Sequence, residues 1–257
     1  MQEGALFTIT YGFAAAFANL LGGILVSSRR LGQATLRYLI ALGAGFMLAT
    51  IFLKILPESI AQWSGAALTP MLWLLGGYLL IQLAEHTVAP HFHFGEETHE
   101  EAMLAQHAAA VGVGALMVHA FFDGVSIGVA SLVSHRLGFL VFIAILLHKV
   151  PEGFTVASMM LAAGKSRRSA SLSALLIGVA TLVGVTLVLM FRDFGVYSRP
   201  LSFYVLPLAA GVTLYVAASD LIPEVNTREG GVKISLMVFA GVALMYGTAW
   251  VLDSMFH

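Results

Sequence analysis

Residues 138–163 read GFLVFIAILLHKVPEGFTVASMMLAA, and this apolar stretch decides the fold. It is longer than the roughly 20 residues that a helix needs to cross the hydrocarbon core of a bilayer. Its centre nevertheless carries His148, Lys149 and Glu152 beside Pro151. A helix of a soluble protein would place such groups on a polar face, and this stretch has none. The stretch therefore predicts a membrane-spanning helix with ionisable groups in its interior.

The composition of the whole chain agrees with a membrane protein. Of the 257 residues, 59% are hydrophobic and 11% are charged, whereas soluble domains carry about 25% charged residues. The net charge of -1 indicates neither a nucleic acid nor an acidic macromolecule as partner. The absence of cysteine excludes thiolate metal ligands and disulfides. The expected location is the cell membrane, which the chain would cross several times.

Apolar runs long enough to cross the membrane occur eight times along the chain. The expected fold class is an all-α membrane protein with a single transmembrane domain over residues 1–257. Eight Lys and Arg residues flank the odd-numbered breaks between the runs, and three flank the even-numbered breaks. Because positive charge accumulates on cytoplasmic loops, the odd breaks are predicted in the cytoplasm and both termini outside. The predicted spans are 5–27, 37–56, 67–85, 103–131, 137–163, 168–191, 201–222 and 232–255.

Two of these spans indicate an internal repeat. GFMLATIFLKILPE (45–58) and GVTLYVAASDLIPE (211–224) align without gaps at an offset of 166 residues, and they share the leading glycine and the closing Pro-Glu. The two spans are predicted to run in opposite directions. Similar sequence with opposite direction is typical of the inverted-topology repeats of membrane carriers. The predicted arrangement is therefore three spans, two central spans and three spans.

The two central spans carry matching motifs, HAFFDG (119–124) and HKVPEG (148–153). Each motif places a histidine four residues before a carboxylate, so that the two side chains share one helix face. His119, Asp123, His148 and Glu152 are predicted to meet at a similar depth. A charge there costs about 2.5–3.5 kcal/mol on insertion scales unless a partner or a cation compensates it. Two imidazoles and two carboxylates suit Zn²⁺ or a similar divalent metal.

Three other interpretations of these residues stay open. The simplest is a structural pair of His–carboxylate hydrogen bonds that hold the two helices together. The second is an intramembrane zinc-dependent hydrolase, since two histidines and an acid hold Zn²⁺ in several hydrolases while another acid serves as base. The third is a proton-coupled carrier of organic solutes. The chain has no G-x-x-x-x-G-K-[ST] motif, so transport driven directly by ATP is not expected.

The two motifs, together with the Leu-Pro-Glu and Ile-Pro-Glu ends of the second and seventh spans, resemble the ZIP (Zrt/Irt-like) family of divalent metal transporters. The resemblance covers nearly the whole chain. It implies a transporter rather than an enzyme, which moves a divalent metal, zinc first, into the cytoplasm without an organic cofactor. It also implies that His119, Asp123, His148 and Glu152 form the transport site. The expected partners are the metal ion and the lipid bilayer, with a homodimer left open.

Two positions depart from the pattern of many prokaryotic relatives, which hold two metal ions. Those relatives carry Asn after the first histidine and an acidic residue after the second, whereas this chain has Ala120 and Lys149. Alanine offers no ligand, and Lys149 brings a positive charge within pairing reach of Glu152. The chain is therefore predicted to hold a single metal ion, with Lys149 in place of the second. Thr181 is the nearest polar residue of the sixth span, where some relatives supply a further Glu.

Charged residues near the span ends indicate how metal would reach and leave the site. Lys54 and Asp253 lie near the outer ends of the second and eighth spans, and an ion pair between them would gate the outer side. The alternative for Lys54 is that its side chain extends to the membrane interface. Asp220 and Glu224 lie near the inner end of the seventh span, on the predicted exit side.

Residues 86–101 form a predicted cytoplasmic loop rich in His and Glu. His91, His93 and His99 are its candidate ligands for released metal. A polar linker without metal is the alternative for this loop.

Overall fold

The long apolar runs fold into helices because a helix satisfies its backbone hydrogen bonds internally, as the membrane interior requires. The computed structural model describes residues 2–28, 33–88, 106–193, 195–196, 199–225 and 231–255. Their α-helices are α1 Gln2–Ser28, α2 Gln33–Thr50, α3 Leu56–Gln62, α4 Leu68–Val88, α5 Gln106–Val133, α6 His135–Ala162, α7 Arg167–Met190, α8 Ser202–Tyr215, α9 Ile222–Val225 and α10 Gly231–Met255. Two π-helices are π1 Ile51–Ile55 and π2 Val216–Leu221, and two short antiparallel strands are β1 Gly195–Val196 and β2 Arg199–Pro200.

The predicted class of a helical membrane protein is confirmed. Within the described ranges, seven helical segments are long and apolar enough to cross a membrane. The remaining predicted span, 67–85, corresponds to α4, whose apolar part Leu68–Ala84 is shorter than the others. Glu85 and His86 follow that part and end the apolar run. A total of eight spans therefore stays a prediction.

The second and seventh spans do not end at their prolines. Each passes from an α-helix through a π-helix and then resumes as a short α-helix that contains the proline. The residue before the proline donates its backbone N–H to the carbonyl five residues earlier, from Leu56 to Ile51 and from Ile222 to Ala217. The wider π turn accommodates the proline, which has no N–H to donate.

The two π-helices lie at corresponding positions of the predicted internal repeat. The offset of 166 residues takes Ile51 to Ala217 and Leu56 to Ile222, which are the acceptors and donors of the two matching bonds. The second span consequently runs on to Gln62, past its predicted end at residue 56. Pro223, at which the helix was expected to end, lies inside the helical turn α9.

Four pairs of glycines mark the closest contacts between the long helices. In each pair, a Cβ added to one glycine would overlap a backbone carbonyl oxygen of the other helix. That oxygen belongs to the residue three positions before the other glycine, and the same holds in both directions. Only glycine allows two helix backbones to approach so closely. The pairs are Gly22–Gly153 between α1 and α6, Gly124–Gly184 between α5 and α7, Gly45–Gly241 between α2 and α10, and Gly77–Gly211 between α4 and α8.

These crossings join the long helices in four pairs, which we describe as two groups. The first group contains α1, α5, α6 and α7, and the second group contains α2, α4, α8 and α10. Between α2 and α6, which face each other across the groups, contact runs through side chains such as Phe46 and Leu140. A Cβ added to Gly43 of α2 would meet Leu147 and His148 of α6 at 3.4 to 3.6 Å, an ordinary van der Waals distance. The candidate metal ligands on α5 and α6 belong to the first group.

Replacing Gly211 by alanine should destabilise the protein by about 1–3 kcal/mol, the usual effect of forcing extra atoms into a packed contact. The added methyl group would overlap the carbonyl oxygen of Leu74. The measurement is the midpoint of thermal unfolding of the purified protein in detergent.

Gly247→Ala on α10 is the matched control, because an added Cβ there meets nothing within 4 Å. Alanine favours a helix over glycine by about 1 kcal/mol, so the control midpoint should stay constant or rise. An equal fall for both variants would contradict the close contact at Gly211.

Candidate metal centre

The two central helices bring the predicted ligands together. His119 and Asp123 lie one turn apart on α5, and His148 and Glu152 lie one turn apart on α6. Ser134 caps the start of α6 by accepting a hydrogen bond from the backbone N–H of Leu137 at 3.1 Å, so that α6 follows α5 after a single residue. The helices therefore return alongside each other, and their inward faces meet.

The four side chains form a buried cluster. Their candidate ligand atoms all lie within 4.8 Å of one another. Asp123 is at its centre, because its Oδ2 lies 3.2 Å from Nε2 of His119 and 3.3 Å from Nε2 of His148. Each of the four residues is at most 7% exposed. The arrangement of nitrogen and carboxylate oxygen atoms suits a divalent metal such as Zn²⁺.

The hydrogen bonds of His148 fix which ring nitrogen faces the cluster as an acceptor. Its Nδ1 lies 3.1 Å from the carbonyl oxygen of Ala144. Since that oxygen can only accept, Nδ1 carries the hydrogen, as in many metal-ligating histidines. The lone pair of Nε2 on neutral His148 then faces an oxygen of Asp123, and two acceptors in contact call for a proton or a cation between them.

Two further atoms of the cluster lack a protein partner. Nδ1 of His119 and Oε1 of Glu152 are buried and have no hydrogen-bond partner in the described structure. Buried polar atoms in native proteins nearly always find a partner. These two atoms therefore leave bonding capacity in the cluster that a bound cation or water would satisfy.

Lys149 lies at the predicted position beside the carboxylates. Its Nζ is 2.7 Å from Oδ2 of Asp123 and 2.6 Å from Oε2 of Glu152, and the side chain is fully buried. Its spacing on α6 indicated the contact with Glu152, whereas the contact with Asp123 depends on how α5 packs. Ala120 is also fully buried and offers no ligand atom. An ammonium thus bridges the two carboxylates of the cluster.

The other predicted residues either are not part of this cluster or lie beyond the described structure. Thr181 is buried on α7, and its hydroxyl donates to the carbonyl of Ile177 at 3.5 Å. Lys54 is partly buried on π1, and Asp220 is 5% exposed on π2. The side chains of Asp253 and Glu224, and the loop residues His91, His93 and His99, lie outside the described residues.

Asn19 is a buried polar residue that no sequence motif marks. It is fully buried on α1, and neither atom of its side-chain amide has a partner in the part of the chain that the structure describes. Its backbone carbonyl lies against Gly153, the residue after Glu152. A lone Asn in an apolar run carries no motif, and its neighbours follow only from the register of the Gly22–Gly153 crossing.

A known protein family matches the chain over nearly all of its length. The family model described as ZIP Zinc transporter matches residues 4–111 and 93–249. Zinc transporter ZIP9-B of Xenopus laevis is 28% identical over 187 residues, which cover 70% of this chain and 60% of that protein. Zinc transporter ZIP13 of Pongo abelii is 26% identical over 225 residues, which cover 82% of this chain and 66% of that protein.

A third relative matches a smaller part. Zinc transporter zipt-7.2 of Caenorhabditis elegans is 28% identical over 142 residues, which cover 54% of this chain and 31% of that protein. The chain thus spans between about one third and two thirds of the length of these curated relatives.

Replacing Lys149 by methionine should destabilise the metal-free protein by about 3–5 kcal/mol, because two buried carboxylates would lose their cationic partner. The measurement is thermal unfolding in detergent with a chelator present. Lys233→Met is the control, since Lys233 is exposed at the start of α10 and should tolerate the same change. A Lys149→Met protein as stable as the control would show that the ion pairs contribute little.

Proposed function

The chain belongs to the ZIP zinc transporter family, and we propose that it carries a divalent metal ion, zinc first, across the cell membrane into the cytoplasm. The observation that carries this proposal is the buried cluster of two histidines and two carboxylates on the central helices. The relatives described above are named as zinc transporters, which supports zinc as the substrate.

In this proposal, His119, Asp123, His148 and Glu152 are the ligands of the transported metal. With His148 neutral, the bond from its Nδ1 to Ala144 leaves Nε2 as the acceptor that faces the cluster. Oε1 of Glu152 has no hydrogen-bond partner among the described residues and is available to bind the ion. Mixed imidazole and carboxylate ligands fit Zn²⁺ and its neighbours, and the geometry of the site rather than the ligand types selects among them.

The site holds one metal ion in this proposal. Lys149 brings a positive charge to the carboxylates at 2.6 and 2.7 Å, where a second cation would have to bind. Ala120 provides no oxygen or nitrogen ligand on the facing side of α5. Repulsion between the ammonium and a second dication in such a buried place is strong.

The proposed architecture has eight spans, with two central spans between two inverted repeats of three spans. The matching positions of π1 and π2 support it. The glycine crossings support it as well. In the proposed repeat, α1, α2 and α4 correspond to α7, α8 and α10, and α5 corresponds to α6. The α2–α10 crossing then corresponds to the α8–α4 crossing, and the α1–α6 crossing corresponds to the α7–α5 crossing. The long helices within each pair would then run in the same direction, with both chain termini outside.

The proposed movement is that of the first helix group against the second. Backbones meet at glycines within the four helix pairs, so these pairs are hard to separate. Contacts between α2 and α6 run through apolar side chains, which can slide and repack more easily. The central helices would therefore move together with α1 and α7, and they would carry the metal site with them.

On the proposed orientation, the outer route passes Lys54 and Asp253, and the inner route passes Asp220 and Glu224. Lys54 and Asp220 lie on the two π-helices, which are frequent at functional sites. The proposed cytoplasmic loop, residues 86–101, would receive released metal at His91, His93 and His99.

A transporter fits the cluster better than a hydrolase does. A catalytic zinc site keeps one coordination position open for water. This cluster offers four protein ligands and, next to them, a buried ammonium that bridges both carboxylates. Neither carboxylate is therefore left over as a free general base.

Replacing His119 or Glu152 by alanine should lower zinc uptake by at least about tenfold, since even the outer partners of metal ligands contribute 10–100-fold to affinity. The purified protein is reconstituted into liposomes that contain a fluorescent zinc indicator, and Zn²⁺ is added outside. Preparations are compared at equal amounts of inserted protein.

The control for this uptake experiment is His135→Ala. His135 lies on the same helix as His148, but it is exposed and contacts the rings of Phe7 and Tyr11. Its loss should leave uptake within about twofold of the original rate, the scatter expected of a surface substitution. Unchanged uptake in His119→Ala and Glu152→Ala would rule out the assigned site.

The purified protein should bind one zinc ion per chain at this site. Metal content is measured after equilibrium dialysis, in a background in which His91, His93 and His99 are replaced by alanine to remove the candidate ligands of the loop. Combining Ala120→Asn with Lys149→Asp restores the ligands of the two-metal relatives and should raise the content to two. Two ions in the background protein would show that Lys149 does not exclude the second metal.

A further inference from the structure

We propose that Lys149 is a built-in counter-cation that allows the metal-free site to move through the membrane interior. This inference rests on the proposed function, because only a carrier has to return its empty site. Lys149 would then determine the rate of the return step, whereas His119, Asp123, His148 and Glu152 would determine whether metal is bound and carried.

The position of the ammonium supports this role. Nζ of Lys149 contacts Oδ2 of Asp123 at 2.7 Å and Oε2 of Glu152 at 2.6 Å, and the whole side chain is buried. The two carboxylates are themselves 2% and 7% exposed. The three charges are therefore arranged as a compact group that is largely withdrawn from solvent.

Charge balance explains why an empty carrier needs such a group. Asp123 and Glu152 bring two negative charges, and a divalent ion neutralises both when the site is loaded. Without metal, without Lys149 and with neutral imidazoles, both charges would cross the apolar interior uncompensated, which is strongly unfavourable. With Lys149, the empty site carries one negative charge and the loaded site one positive charge, so neither form is doubly charged.

The same geometry makes Lys149 a competitor of the metal. Oδ2 of Asp123 is contacted by Lys149 and also by the Nε2 atoms of His119 and His148. A metal ion bound by both imidazoles would share this oxygen with the ammonium. Metal and ammonium repel each other there, so binding of the metal weakens the hold of Asp123 on Lys149 and departure of the metal restores it.

The distinguishing experiment compares net uptake with exchange. Net uptake of radioactive Zn²⁺ into empty liposomes requires the empty site to return in every cycle. Exchange of radioactive Zn²⁺ against unlabelled Zn²⁺ inside the liposomes does not, because the site returns loaded. Lys149→Gln keeps a hydrogen-bond donor near both carboxylates while removing the charge, and Lys149→Arg keeps the charge.

We expect Lys149→Gln to slow net uptake by at least about tenfold, in line with the large cost of an uncompensated buried charge. Exchange should stay within about twofold of the original rate, and its half-saturating zinc concentration should fall because the competing cation is gone. Lys149→Arg should keep the original ratio of net uptake to exchange. Lys233→Gln, which changes an exposed lysine on α10, should alter neither rate.

The outcomes separate this inference from the proposed function. Absence of both zinc uptake and zinc exchange in the original protein would contradict transport itself. Net uptake and exchange that fall by the same factor in Lys149→Gln would overturn the counter-cation role, and so would two unchanged rates. If Lys149→Gln does not fold, as judged by size-exclusion chromatography, Lys149→Arg decides, because a lower ratio of net uptake to exchange would then overturn the proposal.

Discussion

The contact of Lys149 with Asp123 and Glu152 is the interaction on which the centre of this protein depends. Charges in a region without water persist only when an opposite charge or a metal ion compensates them. The ammonium reaches both carboxylates at 2.6 and 2.7 Å because α5 and α6 return alongside each other after a single capping residue. A small shift of one helix along the other would lengthen one of these contacts and leave a carboxylate uncompensated. Charge compensation at the site therefore requires one particular register of α5 against α6.

The glycine crossings hold that register. Gly124 follows Asp123 and Gly153 follows Glu152, so each carboxylate precedes a point at which its helix meets a neighbouring backbone. In both motifs the glycine lies about 100° around the helix from its carboxylate, because one residue turns the helix by that angle. The carboxylate can therefore face the partner central helix while the glycine faces α7 or α1. In the sequences Asp-Gly and Glu-Gly, the proposed ligand and the glycine that contacts a neighbouring helix are therefore adjacent residues.

Spacing along the chain was sufficient to predict the convergence of the two histidines and two carboxylates, because a four-residue interval on a helix fixes a common face. It was also sufficient for the contact between Lys149 and Glu152. The contact of Lys149 with Asp123 could not be predicted, since it depends on the rotation of α5 against α6. Asn19 was missed for the same reason, because its surroundings follow from the crossing of α1 and α6.

Proline misled the prediction of helix ends in the second and seventh spans. The rule that a helix stops near a proline assumes hydrogen bonds to the fourth preceding residue, and a π turn changes that pairing. Both spans use the same bond between residues five apart, so the deviation occurs at matching positions of the predicted repeat. The third span was assigned from composition alone, and Glu85 and His86 leave its apolar part shorter than those of the other seven spans.

The two halves of the predicted repeat match in their π-helices and differ in the charges that these helices carry. The offset of 166 residues that aligns π1 with π2 takes Lys54 to Asp220, so corresponding positions on the two π-helices carry opposite charges. On the proposed orientation, a dication would pass a positive group on the outer route and a buried negative group on the inner route. On that orientation, the field between them would draw a cation inward, while the matching backbones would let the two sides open by similar movements. Two repeats with matching π-helices can therefore line two routes of different charge. The difference lies in the side chains at corresponding positions, and these side chains leave the π-helical backbone unchanged.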